Sequence, residues 1–199
     1  PDEGAPSSMW GEAWKRLRKR PIFWFAAIII AATILISLFP GLFTGQDPAY
    51  CVLERHNGPA ASGHPFGFDK QGCDIYARVI YGARASVSVG VLTTIAVVII
   101  GATIGALAGY FGGWLDALLS RITDVFFAVP LLLAAIVFMQ MFKESRSIMM
   151  VVTVLAAFGW TQIARITRGA VMTAKNEEFV TAARATGASR ARILVSHII

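Results

Sequence analysis

The chain has 199 residues, of which 56% are hydrophobic and only 15% are charged, and its formal net charge is +6. Soluble domains carry roughly 25% charged residues, so the composition excludes an ordinary soluble protein and is typical of an integral membrane protein. The positive residues lie beside apolar runs instead of forming a separate basic surface, so no nucleic acid is expected as a partner.

Four uncharged runs are candidates for membrane-spanning helices. A span needs about 20 largely apolar residues, and flanking residues can complete a run that is slightly shorter. Four such runs in one short chain are far more than the buried core helices of a soluble protein would supply. The runs cover residues 22–39, 85–115, 125–142 and 147–164.

Basic residues flank the first and the last run. By the positive-inside rule both groups lie in the cytoplasm, and four spans return the chain to its starting side. We therefore expect a multi-pass protein with a cytoplasmic N-terminus. The predicted regions are an N-terminal tail (1–20), a first transmembrane helix (21–39), an external loop with an amphipathic helix (40–84) and a core domain (85–199).

The external loop contains both cysteines of the chain, Cys51 and Cys73. An external compartment permits disulfides, and a bridge that closes a loop of about 20 residues stabilises it by roughly 3 kcal/mol. Two unrelated free thiols are an equal alternative. No cluster of cysteine and histidine suggests a metal site, and His64, which precedes a proline, is interpreted as a turn residue.

The second run contains three glycines at four-residue spacing, Gly101, Gly105 and Gly109. Small residues at this spacing let helix backbones approach closely in lipid. The spacing predicts a tight helix interface, either between moving parts of a transporter or in static packing.

The third run begins after Asp124 and contains Pro130. An acid at the start of a helix is favoured by the helix dipole, so a capping role is expected for Asp124, although a carboxylate in a membrane is also a candidate functional group. Pro130 should kink this span. No run carries a charge near its middle, which argues against an ion- or proton-coupled carrier that works without partners.

The residues after the fourth run predict two short helices joined by a turn. Asn176 could cap the first helix, Gly187 fits its end, and Ser189 could cap the second. The small side chains of Ala182 and Ala183 give the first helix a smooth surface. Such a surface suits a groove of another protein, while a basic hairpin lying on anionic lipid is the alternative.

Catalytic motifs are absent from the sequence. There is no HExxH, no GxSxG and no phosphate loop GxxxxGK[ST]. An enzyme embedded in the membrane is therefore disfavoured, and the chain is not expected to bind or hydrolyse a nucleotide by itself.

The C-terminal pattern resembles the EAA motif of ABC-type import permeases, E-x-x-x-A-A-x-x-x-G, at Glu178, Ala182, Ala183 and Gly187. Three further stretches are similar to the C-type subunit of the dipeptide/oligopeptide permease branch. These are HPFGFD…YGARAS (64–86), GYFGGWLD (109–116) and RITDVFFAVP (121–130).

The resemblance implies an all-α type I ABC importer permease with six spans, of which four are present here, the core domain being truncated at its C-terminus. It also implies a cytoplasmic coupling helix that docks on a separate ATPase subunit. The implied partners are a homologous second permease subunit, two ATP-binding subunits and an extracytoplasmic peptide-binding protein in a bacterial inner membrane. The implied coupling surface consists of Glu178, Ala182, Ala183, Gly187 and Ile193.

No cofactor is expected in this chain, since the resemblance assigns ATP and magnesium to the partner ATPases. Cys73 and Phe68 stand where the family commonly has arginine and threonine, and the cysteine supports a disulfide with Cys51. Peptides are the expected substrate, but nickel and glutathione importers share these motifs and remain alternatives.

Overall fold

A computed structural model describes residues 9–143 and 147–198. Within these ranges every regular element is a helix or a helical turn, and no strand is formed. Three helices are long and apolar enough to cross a membrane, and a pair of helices joined at a sharp bend makes a fourth candidate span. The predicted all-α membrane architecture is confirmed.

The N-terminal unit begins with two helices, α1 (Met9–Leu17) and α2 (Pro21–Leu38). Proline is well suited to the first position of a helix, where its missing N–H needs no partner, and Pro21 stands there. The indole Nε1 of Trp24 donates to the carbonyl of Arg18 at 2.9 Å, which fixes the connection between the two helices. Residues 1–8 of the predicted tail lie outside the described residues.

The loop between α2 and α3, which is predicted to be external, is a chain of turns, including single 3-10 turns at Pro40–Leu42 and Leu53–Arg55. A disulfide joins Cys51 to Cys73. Gly72 beside it has φ +74°, and a Cβ there would lie 1.9 Å from the carbonyl oxygen of Val52. Only glycine fits this position, since both the backbone conformation and the space exclude a side chain.

The last residues of the loop cap the long helix α3 (Ile75–Phe111). Asp74 is buried, and its Oδ1 accepts from the backbone N–H of Tyr76 at 2.8 Å. Its Oδ2 lies 2.8 Å from Nδ1 of His64, so the predicted turn histidine orients the capping carboxylate. Such a cap satisfies N–H groups that have no partner within the helix.

Helix α3 combines two predicted elements. The amphipathic stretch of the loop and the second span form one uninterrupted helix, because no proline lies between Ile75 and Phe111. The apolar run continues to residue 115, but the helix ends at Phe111, as the glycine pair that follows predicts, since Gly112 and Gly113 have φ +65° and +59°.

The third predicted span is a pair of helices, α4 (Gly113–Ala128) and α5 (Leu131–Met141), bent by 75°. The break is larger than the predicted kink, because Pro130 cannot donate to the helix and forces Val129 into an extended conformation. The capping role predicted for Asp124 is wrong. The helix starts at Gly113, and Asp124 lies well inside it.

The fourth span, α6 (Ile148–Ala174), begins where the Oγ of Ser147 accepts from the N–H of Met150 and continues well beyond the predicted end at residue 164. Two short helices follow, α7 (Glu178–Ala185) and α8 (Arg190–Ile193), then a wider π-helical turn over Leu194–Ile198. We call residues 178–198 the C-terminal hairpin.

Candidate functional site

The C-terminal hairpin contains the residues of the EAA-like motif and folds around Gly187. Gly187 has φ +83°, and the N–H of Ala188 donates to the carbonyl of Ala183 at 3.1 Å. This is the usual way for a glycine to end a helix. The Oγ of Ser189 then accepts from the N–H of Arg192 at 3.3 Å and caps α8, as predicted.

The N-terminal cap of α7 differs from the prediction. Glu177 occupies the capping position without a side-chain hydrogen bond. The side-chain amide of Asn176 instead donates to the carbonyl of Met172 at 3.0 Å, and this hydrogen bond satisfies a carbonyl in the last turn of α6. The predicted role of Asn176 is wrong because its side chain is used by the preceding helix.

The implied coupling residues divide into a surface set and a buried one. Glu178, Ala182 and Gly187 are exposed and Ala183 is half-buried. Ile193 is only 1% exposed, so the structure places it inside the hairpin and not on a docking surface. The physical reason is that α8 turns back, which directs this apolar side chain inward beside the end of α3.

Phe179, which the motif does not include, has a large apolar side chain that is 51% exposed. In helical register Phe179 shares a face with Ala182 and Ala183. The sequence pattern that could have indicated Phe179 is a single aromatic residue that precedes the paired alanines by three and four positions. Its neighbour Val180 is fully buried and holds α7 against the rest of the chain.

The hairpin is anchored to the long helices from which it projects. Leu194 packs in a buried cluster with Ala106 of α3 and Val171 of α6. The ammonium group of Lys175, just after α6, donates to the carbonyl of Gly109 at 2.7 Å. A displacement of the hairpin therefore acts directly on the adjoining ends of α3 and α6.

The glycines of the second span form a close seam between α3 and α6. A Cβ on Gly101, Gly105 or Gly109 would lie 2.7, 2.3 or 2.7 Å from a carbonyl oxygen of α6. The oxygens belong to Trp160, Ala164 and Arg168, which have the same four-residue spacing. Side chains larger than hydrogen are excluded, so the two backbones meet directly.

Two ion pairs connect α4 with α6. The guanidinium of Arg168 donates from Nε and one Nη to the two carboxylate oxygens of Asp116, at 2.5 and 2.6 Å. Arg165 donates to Oδ1 of Asp124 at 2.8 Å and lies 3.9 Å from the centre of the Phe127 ring. A cavity of about 440 Å³ lies beside both pairs and reaches the glycine seam at Gly105.

Within the described parts of the chain no group of three or more His, Cys, Asp or Glu side chains is placed to hold a metal ion. Among the charged groups that line the cavity, Arg165 is paired with Asp124, and Arg168 is paired with Asp116 of α4.

Two family models match the chain. Residues 101–199 match the binding-protein-dependent transport system inner membrane component. Residues 8–60 match the N-terminal transmembrane domain of oligopeptide transport permease C. The first region contains the glycine seam, both ion pairs and the C-terminal hairpin, and the second contains the N-terminal helices and the start of the external loop.

Individual relatives agree with these matches. The chain is 37% identical to the dipeptide transport system permease protein DppC of Alkalihalophilus pseudofirmus, covering 100% of the chain and 64% of that protein. It is 34% identical to the oligopeptide transport system permease protein OppC of Bacillus subtilis, covering 96% and 62%. The glutathione transport system permease protein GsiD of Escherichia coli is 35% identical, also covering 96% and 62%. The chain thus spans less than two thirds of the length of these relatives.

Proposed function

The chain belongs to the family of binding-protein-dependent transport system inner membrane components, in its dipeptide/oligopeptide permease branch, and we propose that it is the permease subunit of an ATP-driven peptide importer. In this proposal it forms half of a translocation pathway together with a homologous second permease. An extracytoplasmic binding protein delivers the peptide, and two separate subunits bind ATP with magnesium and hydrolyse it. The N-terminus lies in the cytoplasm.

The observation that supports this proposal best is the form of the C-terminal hairpin. It exposes Glu178, Phe179 and Ala182 on a short helix, and it is fixed to α3 and α6 through Leu194 and Lys175. An exposed aromatic residue beside small ones suits insertion into a pocket of a partner, where such anchors dominate binding energy. The rigid attachment suits transmission of a partner's movement to the spans.

Peptides are the proposed substrates because the relatives include permeases named for dipeptides and oligopeptides. A relative named for glutathione transport has a similar identity, and glutathione is itself a tripeptide. Glutathione is therefore the second candidate, and its importer would use the same subunit arrangement.

The test is to express the intact tagged chain in its own membrane and identify the proteins that copurify in mild detergent by mass spectrometry. We expect a second permease and ATPase subunits in near-equal amounts. The complex, reconstituted in liposomes with its binding protein, should accumulate a labelled dipeptide or oligopeptide only when ATP is supplied on the ATPase side.

Competition distinguishes the substrates. Unlabelled peptides should suppress the uptake, whereas suppression by glutathione or by nickel alone would assign the transporter to those substrates. If the folded chain is purified without any ATPase and transports peptide without ATP, the proposal is contradicted.

A further inference from the structure

Helix α6 packs against α3, α4 and α5, and its contacts with α3 and α4 differ in kind. On the α3 side the glycine seam is close, with backbone against backbone at Gly101, Gly105 and Gly109. On the α4 side two ion pairs and an aromatic contact of Phe126 with Phe158 and Trp160 join the helices. A cavity of about 440 Å³ is lined by charged side chains of both helices and by Gly105 of the seam. Close-packed interfaces resist displacement, so α3 and α6 should move together, while the cavity leaves α4 room to shift beside the ion pairs.

The stronger of the two ion pairs between α4 and α6 is that of Arg168 with Asp116. It is bidentate, with both oxygens of Asp116 engaged, and the Oγ of Ser120 donates a further bond to Oδ1 at 3.2 Å. The Asp116 side chain is 19% exposed, against 54% for Asp124 in the other pair. Bidentate, partly buried pairs fix geometry and are stronger than exposed single contacts.

The position of Arg168 relates this pair to the hairpin. Arg168 lies in the last third of α6, close to where the chain leaves that helix for the hairpin, and its own carbonyl faces Gly109 of α3. Asp116 lies in the first turn of α4, which leads to the bend at Pro130 and to α5. The pair thus joins the helix that carries the hairpin to the start of the broken span.

We propose that the Arg168–Asp116 pair passes a displacement of the C-terminal hairpin to α4, the first half of the broken span. Arg168 is a positioning residue in this role, since it acts through Asp116 and touches no substrate. The proposal rests on the proposed function, because it assigns the route by which an ATPase-driven movement reaches the translocation pathway.

The test uses the full transporter with its partner subunits in liposomes and measures two rates, peptide uptake and ATP hydrolysis. Their ratio, peptides imported per ATP, reports coupling, and a purely structural defect would not change it in the complexes that remain assembled. Coupling energies between sites correspond to about 5- to 150-fold effects. We expect Arg168→Gln to lower the ratio by about tenfold, within that range.

Two further variants make the test specific. The exchanged pair Arg168→Asp with Asp116→Arg should raise the ratio well above that of Arg168→Gln, because it restores the ion pair. Arg165→Gln breaks the more exposed pair of the same interface and should change the ratio by less than about twofold, as expected of an exposed pair.

Each outcome separates the explanations. An unchanged ratio in Arg168→Gln, an equal fall in Arg165→Gln, or a ratio in the exchanged pair no higher than that of Arg168→Gln would overturn the positioning role. Loss of copurifying subunits in Arg168→Gln and in the exchanged pair alike would show that the pair serves assembly, which also overturns it. If the wild-type complex shows no ATP-dependent uptake, the proposed function itself fails.

Discussion

A Cβ atom on Gly105 of α3 would lie 2.3 Å from the carbonyl oxygen of Ala164 of α6. No Cβ atom fits at that distance. The two helices can approach this closely only because glycine has no side chain. Gly101 and Gly109 face carbonyl oxygens of α6 in the same way, so the seam extends along α3. The seam therefore sets the distance between the two helices at the level where the hairpin is attached.

Gly105→Ala should destabilise the chain. The added methyl forces the helices apart, and overpacking of this kind costs about 1–3 kcal/mol. Gly90→Ala is the matched control, because Gly90 lies on the same helix with nothing within 4 Å of the added atom. Thermal unfolding in detergent should show a lower Tm for Gly105→Ala alone. Equal Tm values for both variants would contradict the close seam.

Gly187→Val should impair ATP-dependent uptake and copurification of the ATPase, while membrane insertion stays normal. Gly187 has φ +83° with open space around it, so the penalty comes from the backbone and amounts to roughly 1–2 kcal/mol for a side chain in this conformation. Gly187→Asn is the control, since asparagine tolerates left-handed conformations. Normal uptake by the valine variant would argue against the role of this turn in docking.

The two cysteines should be protected from thiol reagents until a reductant is added. The disulfide joins residues separated by 22 positions, and loops of about this length gain roughly 3 kcal/mol from a bridge. The chain should be unfolded in detergent before labelling, because the Cys73 side chain is fully buried. Cys51→Ser provides the control, since it leaves a free Cys73 that must react. Labelling of both wild-type cysteines without reductant would exclude the bridge.

Asp69 should make the loop between α2 and α3 sensitive to acid. The backbone N–H of Cys73 is the main cause that lowers the pKa of this carboxyl, with further bonds from Gln71 and Arg78, against an ordinary value of 3.8. A lowered folded-state pKa contributes stability that is complete above the unfolded value and is lost as the pH falls through the folded value.

The Tm difference between wild type and Asp69→Asn should therefore be largest at neutral pH and shrink in acid below the ordinary aspartate pKa of 3.8. Thermal unfolding across this range measures it. A difference that stays constant, or grows as the pH falls, would show that the bonds to this carboxylate do not favour its charged form.

The features predictable from sequence were those set by composition or by local backbone chemistry. Four apolar runs indicated the membrane helices, and Gly187 and Ser189 indicated a turn, because these properties depend on residues adjacent in the chain. The start of α4 was misplaced because charged residues of an amphipathic helix precede its apolar part, so that an uncharged run began only after Asp124.

The pairing of Asp116 with Arg168 could not be predicted in this way. The two residues are separated by 52 positions, and no local pattern links an acid on one helix to a base on another. Ile193 illustrates the same limit, since its burial depends on how α8 turns back. Motif membership alone could not separate residues that face a partner from residues that hold the hairpin together.

Phe179→Ala should weaken binding of the ATPase subunit with little effect on the fold. The Phe179 side chain is 51% exposed beside Ala182, and removal of an aromatic anchor from an interface commonly costs more than about 1 kcal/mol. The dissociation constant should then rise by roughly tenfold, which corresponds to 1.4 kcal/mol. Thr181→Ala is the matched control, since Thr181 is exposed on a different face of the same short helix. Binding of the purified ATPase to the permease in nanodiscs measures both variants. A Phe179→Ala affinity equal to that of Thr181→Ala would place the docking contact elsewhere on the hairpin.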